Sequence, residues 1–295
     1  MKSGFVAILG RPNVGKSTII NNIVNQQVSI VTDKAQTTRN NIIGIYNDEN
    51  AQIVFLDTPG IHKPKQELGR EMNNMAYSAA HDVDVAIFVV DASKPFGAGD
   101  QYIIEHLDIH KVPLIIVFNK IDLARLDKAQ ELKKTYASYF PKAIFIETVA
   151  KEGFNIDELI KTVISLLPEG PDYYPVEMVT DKDEIFQIKE IIREKVLIQL
   201  REEVPHSIAI YIDSIDWESK PMKIYASIIV EKESQKGIVI GAGGKRIKEI
   251  GSWARHDIER LLKQHVFLEL QVKVDPDWRN DPASLKNYGY KYDKK

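Results

Sequence analysis

Hydrophobic positions in the first half of the chain come in short, nearly unbroken runs: "FVAILG", "AQIVFLD", "DVAIFVVD", "PLIIVFNK" and "AIFIET". Apolar at successive rather than alternate positions and rich in Val, Ile and Phe, such runs predict strands covered on both faces. "IIGIYN" predicts a further edge strand. Between them, apolar residues recur at helical spacing over 16–26, 68–80, 100–109, 127–140 and 155–167. Alternation of strand and helix over roughly 170 residues predicts an α/β fold. It has a mainly parallel sheet wrapped by helices, with ligand loops at the carboxyl ends of the strands.

The pattern then changes. "LPEGPDYYPVE" carries Pro168, Gly170, Pro171 and Pro175 and continues neither helix nor ladder, so 170–180 reads as a linker after a first domain at 1–169. A long amphipathic helix over 183–203 follows, then two strands in "HSIAIYIDSID" and "MKIYASIIVEK". A short apolar turn, a glycine cluster, a helix over 245–263 and a last strand "VFLELQVKV" complete the order αββααβ. This is a second, smaller α+β domain at 181–275 and not a repeat of the first. The polar and aromatic tail, 276–295, receives no assigned structure.

Composition narrows the class. The 295 residues are 44% hydrophobic and 27% charged, with no cysteine, which fits a soluble globular protein without disulfides or thiolate metal sites. "MKSGFVAILG" runs straight into a strand, and no apolar stretch approaches the ~18 residues that span a bilayer, so the expected place is the cytoplasm. The net charge of −3 argues against a uniformly basic nucleic-acid binder. Residues 236–263 nevertheless hold seven basic against three acidic side chains, a local +4. Charge alone favours reading that stretch as a solvated helix face.

"GRPNVGKS" matches G-x-x-x-x-G-K-S between a strand and a helix: Gly10, Arg11, Pro12, Asn13, Val14, Gly15, Lys16 and Ser17. Glycines let successive N–H groups point into one concavity, and the helix N-terminus adds positive potential there. Lys16 is expected on the β/γ-phosphate oxygens, Ser17 on Mg²⁺ and Thr18 on the α-phosphate. Asp57 closes the third strand in "DTPG", where a carboxylate holds Mg²⁺ through water, and the Gly60 N–H meets the γ-phosphate. In "FNKID", Asp122 offers two acceptor oxygens that match the N1–H and N2–H₂ donors of guanine, which adenine lacks. Asn119 is expected to fix the loop and touch N7, and Lys120 to lay its stem over the ring. Where a water-orienting glutamine often follows the glycine, the chain has Ile61. Either no hydrolysis occurs and the nucleotide is only a structural ligand, or something other than a side chain holds the water.

In this order "GRPNVGKS", "DTPG" and "NKID" resemble the translation-factor-like GTPases, in the subgroup where a hydrophobic residue replaces the catalytic glutamine. The resemblance implies GTP and GDP as ligands with Mg²⁺, and a potassium ion ligated by Asn13 at the transition state. "KAQTTRNN" resembles the first switch, with Thr38 preferred to Thr37 as the Mg²⁺ ligand; an ordinary polar loop is the alternative. "TVAKEG" departs from the pattern by placing Val149 where a serine is usual, while Ala150 keeps an N–H for guanine O6 and Lys151 can flank the ring.

In the second half, "VIGAGGKRI" sets Ile240, Gly241, Ala242, Gly243 and Gly244 before a basic helix that begins Lys245, Arg246 and continues to Lys248. A G-x-x-G turn lets the chain approach a nucleic-acid backbone, and the neighbouring apolar groove accepts about four bases. With the αββααβ order this predicts a KH-type RNA-binding domain of prokaryotic topology. Both halves together resemble a family of bacterial GTPases that join an N-terminal G domain to a C-terminal KH domain. That resemblance implies binding near the 3′ end of small-subunit ribosomal RNA, action on a 30S precursor, a monomeric state and peripheral contact with the inner membrane.

Overall fold

The computed structural model describes residues 1–34, 36–106, 112–200 and 204–290. Two compact units divide the chain, the first running to Asp181 and the second comprising Lys182 onward together with the short segments Thr32–Lys34 and Gln66–Leu68. In the first, six strands form one sheet: β1 (Lys2–Gly10), β2 (Ile42–Asn47), β3 (Ala51–Asp57), β4 (Val85–Asp91), β5 (Leu114–Asn119) and β6 (Ile144–Thr148), in the order β2-β3-β1-β4-β5-β6. Only β2 is antiparallel, paired with β3 from Ile42–Asp57 to Asn47–Gln52.

Alternation within β1 shows why the runs are continuously apolar. Val6 and Ile8 face one layer with α1 (Lys16–Ile23) and α5 (Ile156–Leu166); Ala7 and Leu9 face the other, beneath α2 (Glu67–His81), α3 (Ala98–His106) and α4 (Leu126–Tyr139). A strand with helices on both sides has no face left for polar residues. β1 lies between β3 and β4, so the chain leaves it in one direction and returns on its other side. The loop after β1 therefore sits at the switch point of the sheet, where such folds hold ligands.

Several boundaries differ from the sequence reading. α1 stops at Ile23 rather than 26, because Asn21 turns its amide to Ser29 O and accepts from the N–H groups of Val28 and Ser29, and Asn25 takes a left-handed φ of 51°. The helix expected over 100–109 begins at Ala98; positions 107–109 lie outside the described residues, as do 201–203 of the helix expected over 183–203. The proline-rich 170–180 segment is tied to the first unit. Gln52 accepts from the N–H groups of Tyr173 and Tyr174 and donates to Tyr174 O, Asn47 donates to Val176 O, and Ile45 N–H to Val179 O.

The second unit runs α6 (Glu184–Gln199), β7 (Ala209–Asp216), β8 (Met222–Val230), α7 (Glu233–Ile240), α8 (Lys245–Leu262), β9 (Val266–Val274) and α9 (Pro282–Tyr288). Its sheet is ordered β7-β8-β9, antiparallel then parallel, as αββααβ requires. Ile188, Ile192 and Val196 on α6 and Ile250, Ala254 and Ile258 on α8 repeat every four residues and are buried. The expected apolar turn is a helix, α7.

The tail is folded through Tyr290. Asp281 caps α9 by accepting from Ser284 N–H at 2.7 Å, Pro282 occupies its first turn, and Gly289 ends it with φ 84°. Trp278 is fully buried and donates its Nε1–H to Ser207 O at 2.9 Å; Tyr288 donates to Asp275 Oδ2 at 2.6 Å. Residues 276–290 thus belong to the second unit, with Trp278, Leu285, Tyr288 and Tyr290 buried in it, and 291–295 lie outside the described residues.

Candidate nucleotide-binding site and nucleic-acid interface

The loop from Gly10 to Ser17 is held from behind at every turn. Asn119 Nδ2 donates to Val14 O at 2.8 Å, Lys120 Nζ to Asn13 O at 2.7 Å, and Arg11 Nη1 to Asp100 Oδ2 at 3.0 Å. Gly15 has φ 106°, and a Cβ there would stand 2.2 Å from Asn119 Nδ2, so that position admits only glycine. Asn13, at the exposed outer rim, is also left-handed with φ 64°. Thr18 follows Ser17 on α1, half-buried, and its carbonyl accepts from Asn22 Nδ2.

Lys16 is buried and donates to Arg11 O at 2.9 Å and Gly10 O at 3.3 Å. Burial lowers its pKa to about 8, against the attraction of Asp57, so the ammonium is poorly compensated and a polyphosphate would restore its charge. Ser17 Oγ donates to Asp57 Oδ2 at 2.8 Å and lies 2.9 Å from Thr38 Oγ1. Of the two candidate threonines, Thr38 is therefore the one that reaches this cluster. Asp57 is fully buried; desolvation raises its pKa, partly offset by Lys16, Ser17, Ser29 and Thr38. Its Oδ1 has no hydrogen bond of normal geometry, although nothing around it is open to solvent. An orphaned carboxylate oxygen beside two hydroxyls is a hard-oxygen donor set, and it fits Mg²⁺. Among the described residues no group of three or more His, Asp or Glu is clustered for a metal, which suits an ion that takes its remaining ligands from phosphate and water.

Gly60 packs on Pro12, and Ile61 N–H donates to Gly10 O at 3.2 Å, so the "DTPG" turn lies directly on the phosphate loop. The Ile61 side chain is 1% exposed and joins the core layer of Ala76, Ala80 and Phe88. It faces away from the phosphates as a packing residue, and no atom of it can orient water.

At the base-binding end, Asp122 is exposed and makes no hydrogen bond among the described residues, leaving both oxygens for N1–H and N2–H₂. Lys120, with φ 62°, also pairs with Asp91 Oδ2 at 2.8 Å. Burial would raise the pKa of Asp91, but hydrogen bonds from Lys120 and Ser93 outweigh it and hold the carboxyl below its ordinary value. One expectation changes. The Asn119 amide fixes three loops together, accepting at Oδ1 from Ala150 N–H at 2.9 Å and Thr148 Oγ–H at 3.1 Å besides donating one Nδ2 hydrogen to Val14 O. The Ala150 N–H assigned to guanine O6 is directed at Asn119. Val149 is buried and forms a backbone pair with Phe154, while Lys151 is exposed at the rim.

Sequence reasoning missed Asp91 and the Arg11 clamp. Asp100 accepts from Arg11, from Gly97 N–H at 3.0 Å and from the buried Tyr136 hydroxyl at 2.9 Å. Asp91, like Asp57, closes a parallel strand at its carboxyl end, which is the signal that could have found it. Nothing local announces Asp100 or Tyr136.

In the second unit, Gly241, Gly243 and Gly244 have φ of 73°, 57° and 74°, turning the chain sharply from α7 into α8. A Cβ on Gly241 would meet Arg246 Cβ at 2.8 Å, whereas one on Gly243 or Gly244 meets nothing within 4 Å. Gly243 and Gly244 are thus needed for backbone angle, and the space beside them is open to a sugar–phosphate chain. Ala242, Lys245 and Lys248 are exposed; Ile240 is half-buried; Arg246 donates to Ile238 O and so braces the turn. A groove of about 530 Å³ runs between α8 and β9, lined by Ile247, Lys248, Gly251, Ser252, Arg255 and Phe267–Leu270. Ile247 and Lys248 apart, these lining residues add to the sequence-derived set.

A family model described as 50S ribosome-binding GTPase matches residues 5–120, and one described as KH domain matches residues 203–279. Among solved structures, the chain is similar to Era in complex with MgGDPNP and nucleotides 1506–1542 of 16S ribosomal RNA. Identity is 41%, with 99% of this chain and 100% of that chain covered, and the TM-score is 0.94. An Aquifex aeolicus Era variant bound to GDP and AlF4⁻ gives the same identity, coverage and TM-score. With a phosphate loop, a guanine-type carboxylate and a G-x-x-G turn in the matching places, the chain belongs to the Era family of GTPases that carry a KH domain.

Proposed function

We propose that this protein is a GTP-hydrolysing molecular switch whose KH groove takes small-subunit ribosomal RNA near its 3′ end, acting as a cytoplasmic monomer in 30S assembly. The observation that carries it is the meeting of Ser17, Thr38 and Asp57, which joins the phosphate loop to both candidate switch segments through one cluster of oxygens. These three residues would hold Mg²⁺, which would supply neutralising charge at the phosphate oxygens. Lys16 releases the Arg11 and Gly10 carbonyls to meet the β/γ oxygens, and Gly60 N–H donates to the γ-phosphate. Because Ile61 is committed to the core, backbone groups of the "DTPG" turn and the first switch hold the attacking water. Asn13, at the rim of the loop, is proposed as the ligand of a potassium ion that adds positive charge beside the transferred phosphoryl group. Loss of the γ-phosphate removes the contacts of Gly60 and Thr38 and frees both segments.

The 41% identity to Era, together with the described complex of that protein with 16S nucleotides, supports the ribosomal RNA reading. No helix among the described residues is long and apolar enough to cross a membrane, and the peripheral membrane contact stays an expectation of the family resemblance. Crosslinking of ribosomal RNA under GTP and GDP, repeated with Gly244→Asp, tests the whole. RNA capture should be favoured by GTP and lost in the variant, while hydrolysis without RNA survives. Capture indifferent to the nucleotide would refute coupling. Single-turnover conversion of GTP separates the switch from a protein that holds nucleotide only as a structural ligand.

A further inference from the structure

Ser252 and Arg255 stand on a wall shared by two cavities. One is the groove between α8 and β9. The other, about 430 Å³, lies between α8 and α6 and contains Trp253 and Ile198, 47% and 50% exposed. An indole and an isoleucine side by side in a concavity are not explained by packing of the unit, since neither supports its core.

The polar groups around them sort by commitment. Asp257 is paired with Lys195 and with Arg260, and Glu259 accepts from Val266 N–H at 3.0 Å and lies against His265. Arg255 is exposed and makes no hydrogen bond or ion pair among the described residues. His256 lines the cavity and meets Arg260 at 3.1 Å. Among the described lining residues the acids are thus occupied, and the uncommitted charge is that of Arg255. A flat π surface beside an available guanidinium is how proteins hold single-stranded nucleic acid with little regard to sequence. A protein partner would need several hundred Å² of complementary surface; here two apolar side chains stand among charged ones.

We propose that a single strand held in the α8–β9 groove continues over Ser252 and Arg255 into the α6–α8 cavity, where one base stacks on Trp253. This rests on reading the groove as an RNA site. A KH groove seats about four bases, so a longer strand extends beyond it, and behind the α8 wall stands the half-exposed indole of Trp253.

The test compares two single-stranded RNAs in a fluorescence-anisotropy titration of the full chain: a four-nucleotide segment from the 3′ end of small-subunit ribosomal RNA, and the same segment extended by six nucleotides on each side. Wild-type protein should bind the longer RNA about tenfold more tightly, as stacking of one base provides. Trp253→Ala should lose most of that gain and keep its affinity for the short RNA; Trp253→Phe should retain most of it. Trp253 is half-exposed, so unchanged melting temperatures should accompany both variants. An equal gain in wild type and Trp253→Ala, or no gain in wild type, overturns the extended path. Failure of the short RNA to bind wild type at all overturns the groove reading itself, a separate result.

Discussion

A methyl group on Gly60 should separate the two nucleotide states of the protein. The added Cβ would lie 2.7 Å from both Cα and N of Pro12 and 2.8 Å from its Cγ. Carbon atoms in contact stand about 3.5–4.0 Å apart, so the turn must retreat by roughly 1 Å. None of the opposing atoms is the end of a flexible side chain, and the retreat falls on Gly60 and Ile61. It stretches the 3.2 Å bond from Ile61 N–H to Gly10 O and withdraws the Gly60 N–H from the γ-phosphate. A hydrogen bond to a charged group contributes about 1.5–3 kcal/mol, which is about 10- to 150-fold in affinity. GDP has no γ-phosphate and should lose less than about twofold. Equilibrium titration of Gly60→Ala with fluorescent GDP and with a non-hydrolysable GTP analogue measures the ratio. Equal weakening of the two, or an unchanged ratio, would refute the placement of Gly60 at the γ-phosphate.

Other consequences concern separate parts of the molecule. Turnover should be faster in KCl than in NaCl, and Asn13→Ala should abolish the difference; equal rates in both salts remove the proposed ion. Lys16, with its pKa lowered to about 8 by burial, is charged below that pH in the free protein and largely neutral above it. Bound phosphate raises the pKa again, so GTP binding should take up protons and weaken as pH rises from about 8 towards 9. Calorimetry in buffers of different ionisation enthalpy reads the uptake, and its absence contradicts the buried, phosphate-facing lysine. Trp278→Ala should destabilise the second unit by about 3–5 kcal/mol, through its cavity and the orphaned Ser207 carbonyl. Denaturant unfolding followed by RNA binding should show that loss, and a change under about 1 kcal/mol would mean the tail is not part of the core.

The nucleotide site was legible where function is carried by backbone geometry over a few consecutive residues. "GRPNVGKS" and "NKID" place glycines, a lysine and a carboxylate by local turns, and Asp57 and Asp122 stand as the strand pattern requires. What escaped depends on partners distant in sequence. Asn119 reaches Val14, Thr148 and Ala150, so its amide joins three loops and the Ala150 N–H is drawn to it. Asp100 meets Arg11 and Tyr136 across 89 and 36 positions. Ile61 was seen as an anomaly of chemistry, and its side chain has a plain physical role in the core. The tail shows the opposite failure. Asp281, Pro282 and Gly289 carry the start and stop signals of a short helix, but polar composition hid the buried face formed by Leu285 and Tyr288.

Base selection offers the most direct test, because every later step assumes guanine beneath Lys120. Replacing Asp122 by Asn exchanges one acceptor for an amide donor, which matches xanthine, with N1–H and a carbonyl at position 2, better than guanine. In a calorimeter, wild-type protein is expected to bind GTP and not ATP, and Asp122→Asn to prefer xanthosine triphosphate over GTP. Equal binding of GTP and ATP by the wild type, or an unchanged preference in the variant, would contradict the assignment of the pocket.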